Sequence, residues 1–240
     1  MNKFSQSHAV QIGTAYREIL SKGLKASGGR IFEVVGVSKT FPVDTILAAY
    51  QAGIRNFGEN YADELLMKAS SPSLRFDQEP IKWHFLGAIQ SRWINKLAEY
   101  VSVWHSVSRA KEIEQIAKVS PGAEIFIQVD FSNAKGRNGI GLDDAEGLVN
   151  LSRENGLRLL GLMVVPPLVD RISLGHIFSA VNDERLRLGL CGCSMGMSDD
   201  FELALAMGST HIRVGRVLFG NRSNAVILGS NINKSQGGPR

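Results

Sequence analysis

The feature that most constrains the fold is a repeated alternation of short apolar, β-branched runs with amphipathic stretches of helical periodicity. Such a run is typical of a strand in a parallel sheet buried on both faces, and the stretch after it is typical of a returning helix. The predicted strands are Ile31–Val37, Ile54–Phe57, Trp83–Leu86, Val101–His105, Glu124–Val129, Leu159–Val164, Gly192–Met195 and His211–Val214. Eight strand–helix units in 240 residues favour a single α/β domain, a closed (β/α)8 barrel of the TIM type, over an open doubly wound sheet.

The rest of the chain adds a helix before the barrel and a tail after it. Residues 5–25 have apolar side chains at helical spacing and precede Ser27-Gly28-Gly29, which predicts an extra N-terminal helix and lead-in over residues 1–28. Residues of about 223–240 are mostly polar, Gly and Pro, and are expected to fray. No low-complexity linker or change of composition divides the chain, so one domain over residues 1–240 is predicted.

Composition excludes several classes of protein. An apolar content of 44% is typical of a globular chain with a large core, and no run approaches the roughly 20 apolar residues of a membrane span. The N-terminus has no apolar signal-peptide segment, so a cytosolic protein without membrane contact is expected. The net charge of +4 is scattered along the chain, which argues against nucleic acid but suits a phosphorylated small molecule.

A lysine follows the first predicted strand. Active sites of such barrels lie at the carboxyl ends of the strands, and Lys39 stands there in Val37-Ser38-Lys39-Thr40. Partial desolvation lowers the pKa of a lysine amine and favours the neutral form, which attacks an aldehyde to give a Schiff base. A lysine that extends from the strand end to solvent is the alternative.

Asn60 follows the second predicted strand, in Phe57-Gly58-Glu59-Asn60. Gly58 permits close approach of the backbone, and the Asn60 side chain could line a ligand. Asn60 could equally cap the helix that follows, so this segment leaves both interpretations open.

The last two predicted strands end in segments suited to an anion. Loops after strands seven and eight of such barrels often bind phosphate, because backbone N–H groups at a helix N-terminus point at the anion. Ser198 lies in the small-residue turn Ser194–Asp200, although it could simply cap a helix, and Gly215 follows the eighth strand. Arg213, at the end of that strand, requires an acceptor if its guanidinium is buried.

Two histidines at predicted strand ends raise the question of a metal. His84 and His105 belong to the third and fourth strands, but few carboxylates stand at other strand ends to complete a site. We therefore expect packed or hydrogen-bonded histidines and no metal.

Taken together, these segments resemble the pyridoxal phosphate homeostasis protein family, the single-barrel relatives of the N-terminal domain of alanine racemase. The resemblance spans most of the chain in the expected order, and residues 194–215 are highly specific. The segments are VGVSKTFP (35–42), AGIRNFGENY (52–61), WHFLGAIQ (83–90), HSVSRA (105–110), GLMVVPP (161–167), SMGMSDDFELALAMGSTHIRVG (194–215) and FGNR (219–222).

The resemblance implies a cofactor, pyridoxal 5′-phosphate (PLP), and a role for each candidate residue. Lys39 matches the lysine that forms the covalent aldimine, and Arg213 matches the arginine that faces the pyridine nitrogen and keeps it unprotonated, which weakens the ring as an electron sink. Residues that line the ring pocket or cradle the phosphate match Asn60, Met195, Ser198 and Gly215. The family lacks the second, β-rich domain of alanine racemase, and 240 residues leave no room for one.

Three positions depart from the family pattern. Gly136-Arg137-Asn138-Gly139 replaces the usual SKSG, so a second lysine is absent there, and Gln90-Ser91-Arg92-Trp93 replaces QSNK. Arg216 stands where a small residue is usual, and its side chain could form a salt bridge or extend into solvent.

The expected function is therefore homeostasis or delivery of PLP by a monomeric, non-catalytic protein whose partners are the cofactor and PLP-dependent apo-enzymes. The first alternative is a racemase-like enzyme, which needs a second acid–base group, and Tyr61 is the only tyrosine near a predicted strand end. The second alternative is a metal-dependent or sugar-phosphate barrel enzyme that uses His84 and His105, which would leave Lys39 and Arg213 without a role.

Overall fold

The β-branched runs form eight parallel strands that pair in chain order and close into a barrel. This computed structural model describes residues 3–220 except 133 and 135. Closure occurs where β1 pairs with β8, from Glu33 opposite His211 to Gly36 opposite Val214. The strands are β1 (Glu33–Val37), β2 (Asn56–Glu59), β3 (Lys82–Phe85), β4 (Val101–Val107), β5 (Glu124–Val129), β6 (Arg158–Val164), β7 (Gly192–Ser194) and β8 (His211–Val214).

Helices surround the barrel. They are α1 (Lys3–Ala26), α2 (Val43–Gln51), α3 (Ala62–Ala69), α4 (Ser91–Leu97), α5 (Ala110–Val119), α6 (Ala145–Glu154), α7 (Arg171–Arg187), α8 (Phe201–Ala206) and α9 (Arg216–Phe219). Helices α2 to α8 lie between successive strands, α1 precedes β1 and α9 follows β8. Short 3-10 helices at Pro72–Leu74 and Leu142–Asp144 precede β3 and α6. In the part of the chain that the structure describes, none of these helices has both the length and the apolar character needed to cross a bilayer.

The predicted (β/α)8 barrel and its extra N-terminal helix are confirmed, and only strand boundaries differ. β5 and β8 begin and end where the sequence predicts. β1 begins at Glu33 instead of Ile31, because its pairing with β8 begins at Glu33 and Ile31 is exposed. β4 continues to Val107, since that residue still pairs with β5. The predicted tail over residues 223–240 lies outside the described residues.

Two apolar layers stabilise the barrel. The larger one joins buried residues of strands and helices, among them Phe57, Trp104 and Phe178. The smaller layer lies inside the barrel and contains Phe126. The Phe126 ring lies between two histidine rings, with centroid distances of 4.7 Å to His105 and 5.0 Å to His211. The interior is therefore filled by rings as well as aliphatic side chains, and part of it is polar.

A close approach of two backbones joins β6 to β7. Gly161 pairs with Gly192, and a Cβ atom on Gly161 would lie 1.7 Å from the Gly192 carbonyl oxygen. Backbone atoms cannot move away without breaking the ladder, so only glycine fits at Gly161.

We predict that Gly161→Ala lowers the free energy of unfolding by at least about 3 kcal/mol, because the new methyl group forces β6 and β7 apart. The matched control is Gly147→Ala in α6, where a Cβ atom would meet nothing within 4 Å. That change should raise stability by roughly 0.5–1 kcal/mol through helix propensity. Urea unfolding measures both, and equal stability of the two variants would contradict the prediction.

Candidate functional site

A cavity of about 610 Å³ opens at the carboxyl ends of the strands. Its walls combine apolar side chains with a few charged and polar groups. The residues that line it are Val37, Lys39, Phe41, Asn60, Leu86, Met163, Val165, Met197, Ser198, Asp199, Arg213, Gly215 and Arg216. This combination is typical of a small-molecule site, in which a few polar groups fix the orientation of a ligand held by apolar walls.

Most of the candidate residues from the sequence meet at this cavity, and Met195 does not. The cavity is lined by Lys39, Asn60, Ser198, Arg213 and Gly215. Met195 is fully buried in the apolar core, and Met197, two residues later, lines the cavity instead.

Lys39 lies half-buried in a tight turn at the end of β1. The Ser38 amide donates to the Gly58 carbonyl oxygen, and the Phe41 amide donates back to the Ser38 carbonyl oxygen. Thr40 adopts φ = 68°, in the left-handed region that β-branched residues rarely enter. Such a conformation costs about 1–3 kcal/mol and requires surrounding contacts to hold it.

Arg213 is a buried cation on the cavity wall. Its guanidinium donates to the Ser194 hydroxyl oxygen at 2.7 Å and to the Val164 carbonyl oxygen at 2.8 Å, and it forms no ion pair with any described residue. Burial lowers the pKa of Arg213 to about 10, which leaves it charged at neutral pH. A desolvated donor of this kind favours a ligand that presents a hydrogen-bond acceptor.

Ser198 joins the two loops that follow β7 and β8. Its hydroxyl oxygen accepts from the Gly215 amide at 3.3 Å and the Val217 amide at 3.4 Å. A Cβ atom at Gly215 would lie 3.2 Å from the Val37 carbonyl oxygen, so a larger residue would press on β1. Since the hydroxyl oxygen accepts from both amides, its O–H remains able to donate to an acceptor such as an anion in the cavity.

The structure decides three alternatives that the sequence leaves open. The residue that precedes α8 is Asp200 and the one that precedes α3 is Tyr61, so neither Ser198 nor Asn60 occupies a helix N-cap. Arg216 forms an ion pair with Asp199 at the rim of the cavity, where both side chains remain largely exposed.

A chain of hydrogen bonds runs from Arg213 through the barrel interior. The Ser194 hydroxyl lies 2.9 Å from His105 Nδ1, His105 Nε2 lies 2.8 Å from His84 Nδ1, and His84 Nε2 lies 3.0 Å from Asn56 Oδ1. Asn56 Oδ1 can only accept, so His84 Nε2 carries a proton. Because burial keeps both rings neutral, His84 Nδ1 then accepts from His105 Nε2–H, and His105 Nδ1 accepts from the Ser194 hydroxyl.

Burial explains why these rings stay neutral. It lowers the pKa of His84 to about 3 and that of His211 to about 4, and it holds the pKa of His105 well below its ordinary value, with nearby positive groups acting in the same direction. The ring nitrogens of His84 and His105 are occupied by the chain described above. Among the described residues, no group of three or more His, Cys, Asp and Glu side chains could hold a metal ion.

One charged cluster under the Lys39 turn is not among the residues predicted from the sequence. Lys68 in α3 is fully buried, and its ammonium lies 2.7 Å from carboxylate oxygens of both Glu59 and Glu64. The available signal was helical spacing, because Lys68 stands three residues after the buried Leu65 and four after Glu64.

Comparisons with known proteins agree with this geometry. A family profile described as alanine racemase, N-terminal domain, matches residues 30–223. The chain is 36% identical over 197 residues to the pyridoxal phosphate homeostasis protein of Pseudomonas aeruginosa, a match that covers 79% of this chain and 84% of the relative. It is 32% identical over 252 residues to the human protein of the same name, covering 91% and 89%.

Solved structures show the same barrel. PipY of Synechococcus elongatus, determined with PLP bound, has a TM-score of 0.76 and 30% identity, and the match covers 88% of this chain and all of PipY (100%). Alanine racemase of Clostridium difficile has a TM-score of 0.65 at 12% identity, covering 88% of this chain and 58% of the enzyme. The second likeness concerns the fold alone.

Because burial lowers the pKa values of His84, His105 and His211, we predict that the protein loses stability in acid. A native-state pKa below the ordinary value means that, in acid, the unfolded chain binds protons that the native chain does not bind. The contribution of the neutral histidines to the free energy of unfolding is therefore complete above about pH 6.5 and is lost as the pH falls. We expect each such histidine to lower the free energy of unfolding by about 1.4 kcal/mol per pH unit below pH 6. Glu59 acts in the opposite direction. Burial raises its pKa to about 7, so its protonation below that pH favours the native state.

Urea unfolding at pH 7, 6 and 5 measures the slope. His84→Asn should flatten it, whereas His176→Asn, a change at an exposed position in α7, should leave it unaltered. Stability that does not change between pH 7 and pH 5 would contradict the prediction.

Proposed function

Because the chain belongs to the family of the alanine racemase N-terminal domain, and within it to the pyridoxal phosphate homeostasis proteins, we propose that it binds PLP in the cavity at the mouth of the barrel. Lys39 attaches the cofactor as a Schiff base, and the protein holds the cofactor without acting on amino acids. PipY, a relative of this fold solved with PLP bound, supports the same ligand.

The observation that most strongly supports this proposal is the meeting of three groups of different chemistry on one cavity. Lys39 presents an amine for an aldehyde, the Ser198 hydroxyl presents an O–H donor for a phosphate, and Arg213 presents a buried donor for the pyridine nitrogen. Leu86, Met163 and other apolar side chains provide walls for a flat ring. The residues present therefore fit each part of the cofactor.

When bound, PLP supplies an aldehyde that condenses with amines and a ring that withdraws electrons. Arg213 limits the ability of the ring to withdraw electrons. Its guanidinium remains charged and can only donate, so it keeps a proton off an acceptor nitrogen placed against it. A ring held in this way is a weaker electron sink than one paired with a carboxylate, which favours storage over chemistry at an amino acid.

The cavity also offers few groups that could move a second proton. None of the described residues that line it is Tyr, His or Cys, and the Asp199 carboxylate is paired with Arg216. Tyr61 lines a neighbouring cleft of about 200 Å³ instead. Racemisation needs an acid–base group on each face of the substrate, so this arrangement supports a non-catalytic role.

We expect the purified chain to give a yellow adduct with PLP that borohydride reduction fixes on Lys39. Lys39→Ala should abolish the adduct, because it removes the amine. Lys111→Ala, a change of the same kind at an exposed position in α5, should not affect it. Absorption spectra and peptide mapping measure the outcome, and an unchanged spectrum or a label on another lysine would refute the assignment.

In a chiral assay over the common amino acids, we expect the PLP-loaded chain to racemise none faster than the same concentration of free PLP. The reason is that none of the described residues lining the cavity is a tyrosine, histidine or cysteine that could serve as the second acid–base group. Lys39→Ala mixed with PLP is the control for background turnover. A rate well above both references would favour the racemase-like alternative.

Delivery of PLP to apo-enzymes, action as a monomer and a cytosolic location remain predictions from the sequence. The first would be supported if incubation with the loaded chain activated a PLP-dependent apo-enzyme faster than the equivalent free cofactor.

A further inference from the structure

The buried ammonium of Lys68 has all of its hydrogen-bonding capacity in use. It donates to Glu59 Oε1 at 2.7 Å, to Glu64 Oε1 at 2.7 Å and to the Ser38 carbonyl oxygen at 2.8 Å. Three acceptors match the three N–H donors of an ammonium group. Two of the acceptors are carboxylates and the third is a peptide group of the loop after β1.

These contacts hold the backbone on both sides of Lys39. On one side, the Ser38 carbonyl oxygen accepts from Lys68 and the Ser38 hydroxyl donates to Glu59 Oε1 at 2.7 Å. On the other side, the Thr40 amide donates to Glu64 Oε1 at 2.5 Å. One cluster of three side chains, which we call the Lys68 clamp (Glu59, Glu64 and Lys68), therefore contacts the residue before and the residue after Lys39.

Fold stability alone does not account for the Lys68 clamp. Burial of an ion pair costs desolvation energy that the attraction between the charges only partly returns, so apolar side chains would stabilise the same space at least as well. What apolar side chains could not do is accept from the Thr40 amide while that residue keeps φ = 68°. The carboxylates thus secure a backbone conformation that would otherwise relax.

We propose that the Lys68 clamp positions Lys39, setting the direction of its amine into the cavity before an aldehyde binds. Lys68, Glu59 and Glu64 are positioning residues, because they act on the aldehyde only through Lys39. This inference rests on the proposed function for the identity of the aldehyde. Reaction of a correctly placed amine is faster and more favourable, and misplacement by about 1 Å can cost on the order of a hundredfold.

Glu64→Ala is the first test variant. It removes the acceptor of the Thr40 amide, while Lys68 keeps its contacts with Glu59 and the Ser38 carbonyl oxygen. Lys68→Met would instead leave the buried Glu59 without its cationic partner and endanger folding. Glu64→Gln keeps an oxygen acceptor and serves as the conservative variant. Glu79→Ala is the matched control, because it removes an exposed ion pair with Arg55 away from the Lys39 turn.

Two phosphorylated ligands separate positioning from general damage to the cavity. PLP can condense with Lys39, whereas pyridoxine 5′-phosphate carries an alcohol in place of the aldehyde and can only bind non-covalently. We expect Glu64→Ala to weaken PLP binding about tenfold and to change binding of the alcohol less than about twofold. Glu64→Gln and Glu79→Ala should resemble the unaltered chain with both ligands.

Hydrogen exchange of the Thr40 amide gives a readout that needs no cofactor. We expect this amide to be protected in the unaltered chain and to exchange at least about tenfold faster in Glu64→Ala. Equal weakening for both ligands, unchanged PLP binding, or unchanged exchange would overturn the positioning role. If the unaltered chain binds neither ligand, the proposed function fails, while the exchange data still test the Lys68 clamp.

Discussion

Closure of the sheet between β1 and β8 is the contact on which the site depends. The ladder places Val35 opposite Arg213 and Gly36 opposite Val214, so the first and last strands end side by side. Lys39 therefore leaves β1 beside Gly215, where the loops joined by Ser198 begin. In an open sheet with the same strands, β1 and β8 would not pair, and Lys39, Ser198 and Gly215 would not line one cavity.

Closure also creates an interior in which charge is strictly limited. Arg213 is a buried cation there, and the histidines around it are neutral because burial and its positive charge oppose their protonation. The oriented chain through Ser194 and His105 gives the guanidinium acceptors without neutralising it. Its positive charge thus remains available to a ligand at the cavity wall, in a setting of low dielectric constant where a hydrogen bond is strong.

Some site residues could be predicted from the sequence, since a barrel brings the carboxyl ends of its strands together. Lys39, Arg213 and Gly215 stand at strand ends and line the cavity. Met195 and Lys68 show where this reasoning stops. Met195 follows β7 directly but turns into the core, and a lysine in a short helix is ordinarily expected to face solvent. Burial of Lys68 depends on Glu59, which reaches it from a different element.

The sequence by itself determined the order of strands and helices, the family, and the residue types at the strand ends, because local periodicity and short motifs depend on neighbours along the chain. Only the tertiary structure decided the direction of the hydrogen bonds from Arg213, the ion pair between Asp199 and Arg216, and the contacts of the Lys68 clamp with the Lys39 turn. These features join residues far apart in sequence. Their energies depend on distance and burial, which are fixed only when the barrel closes.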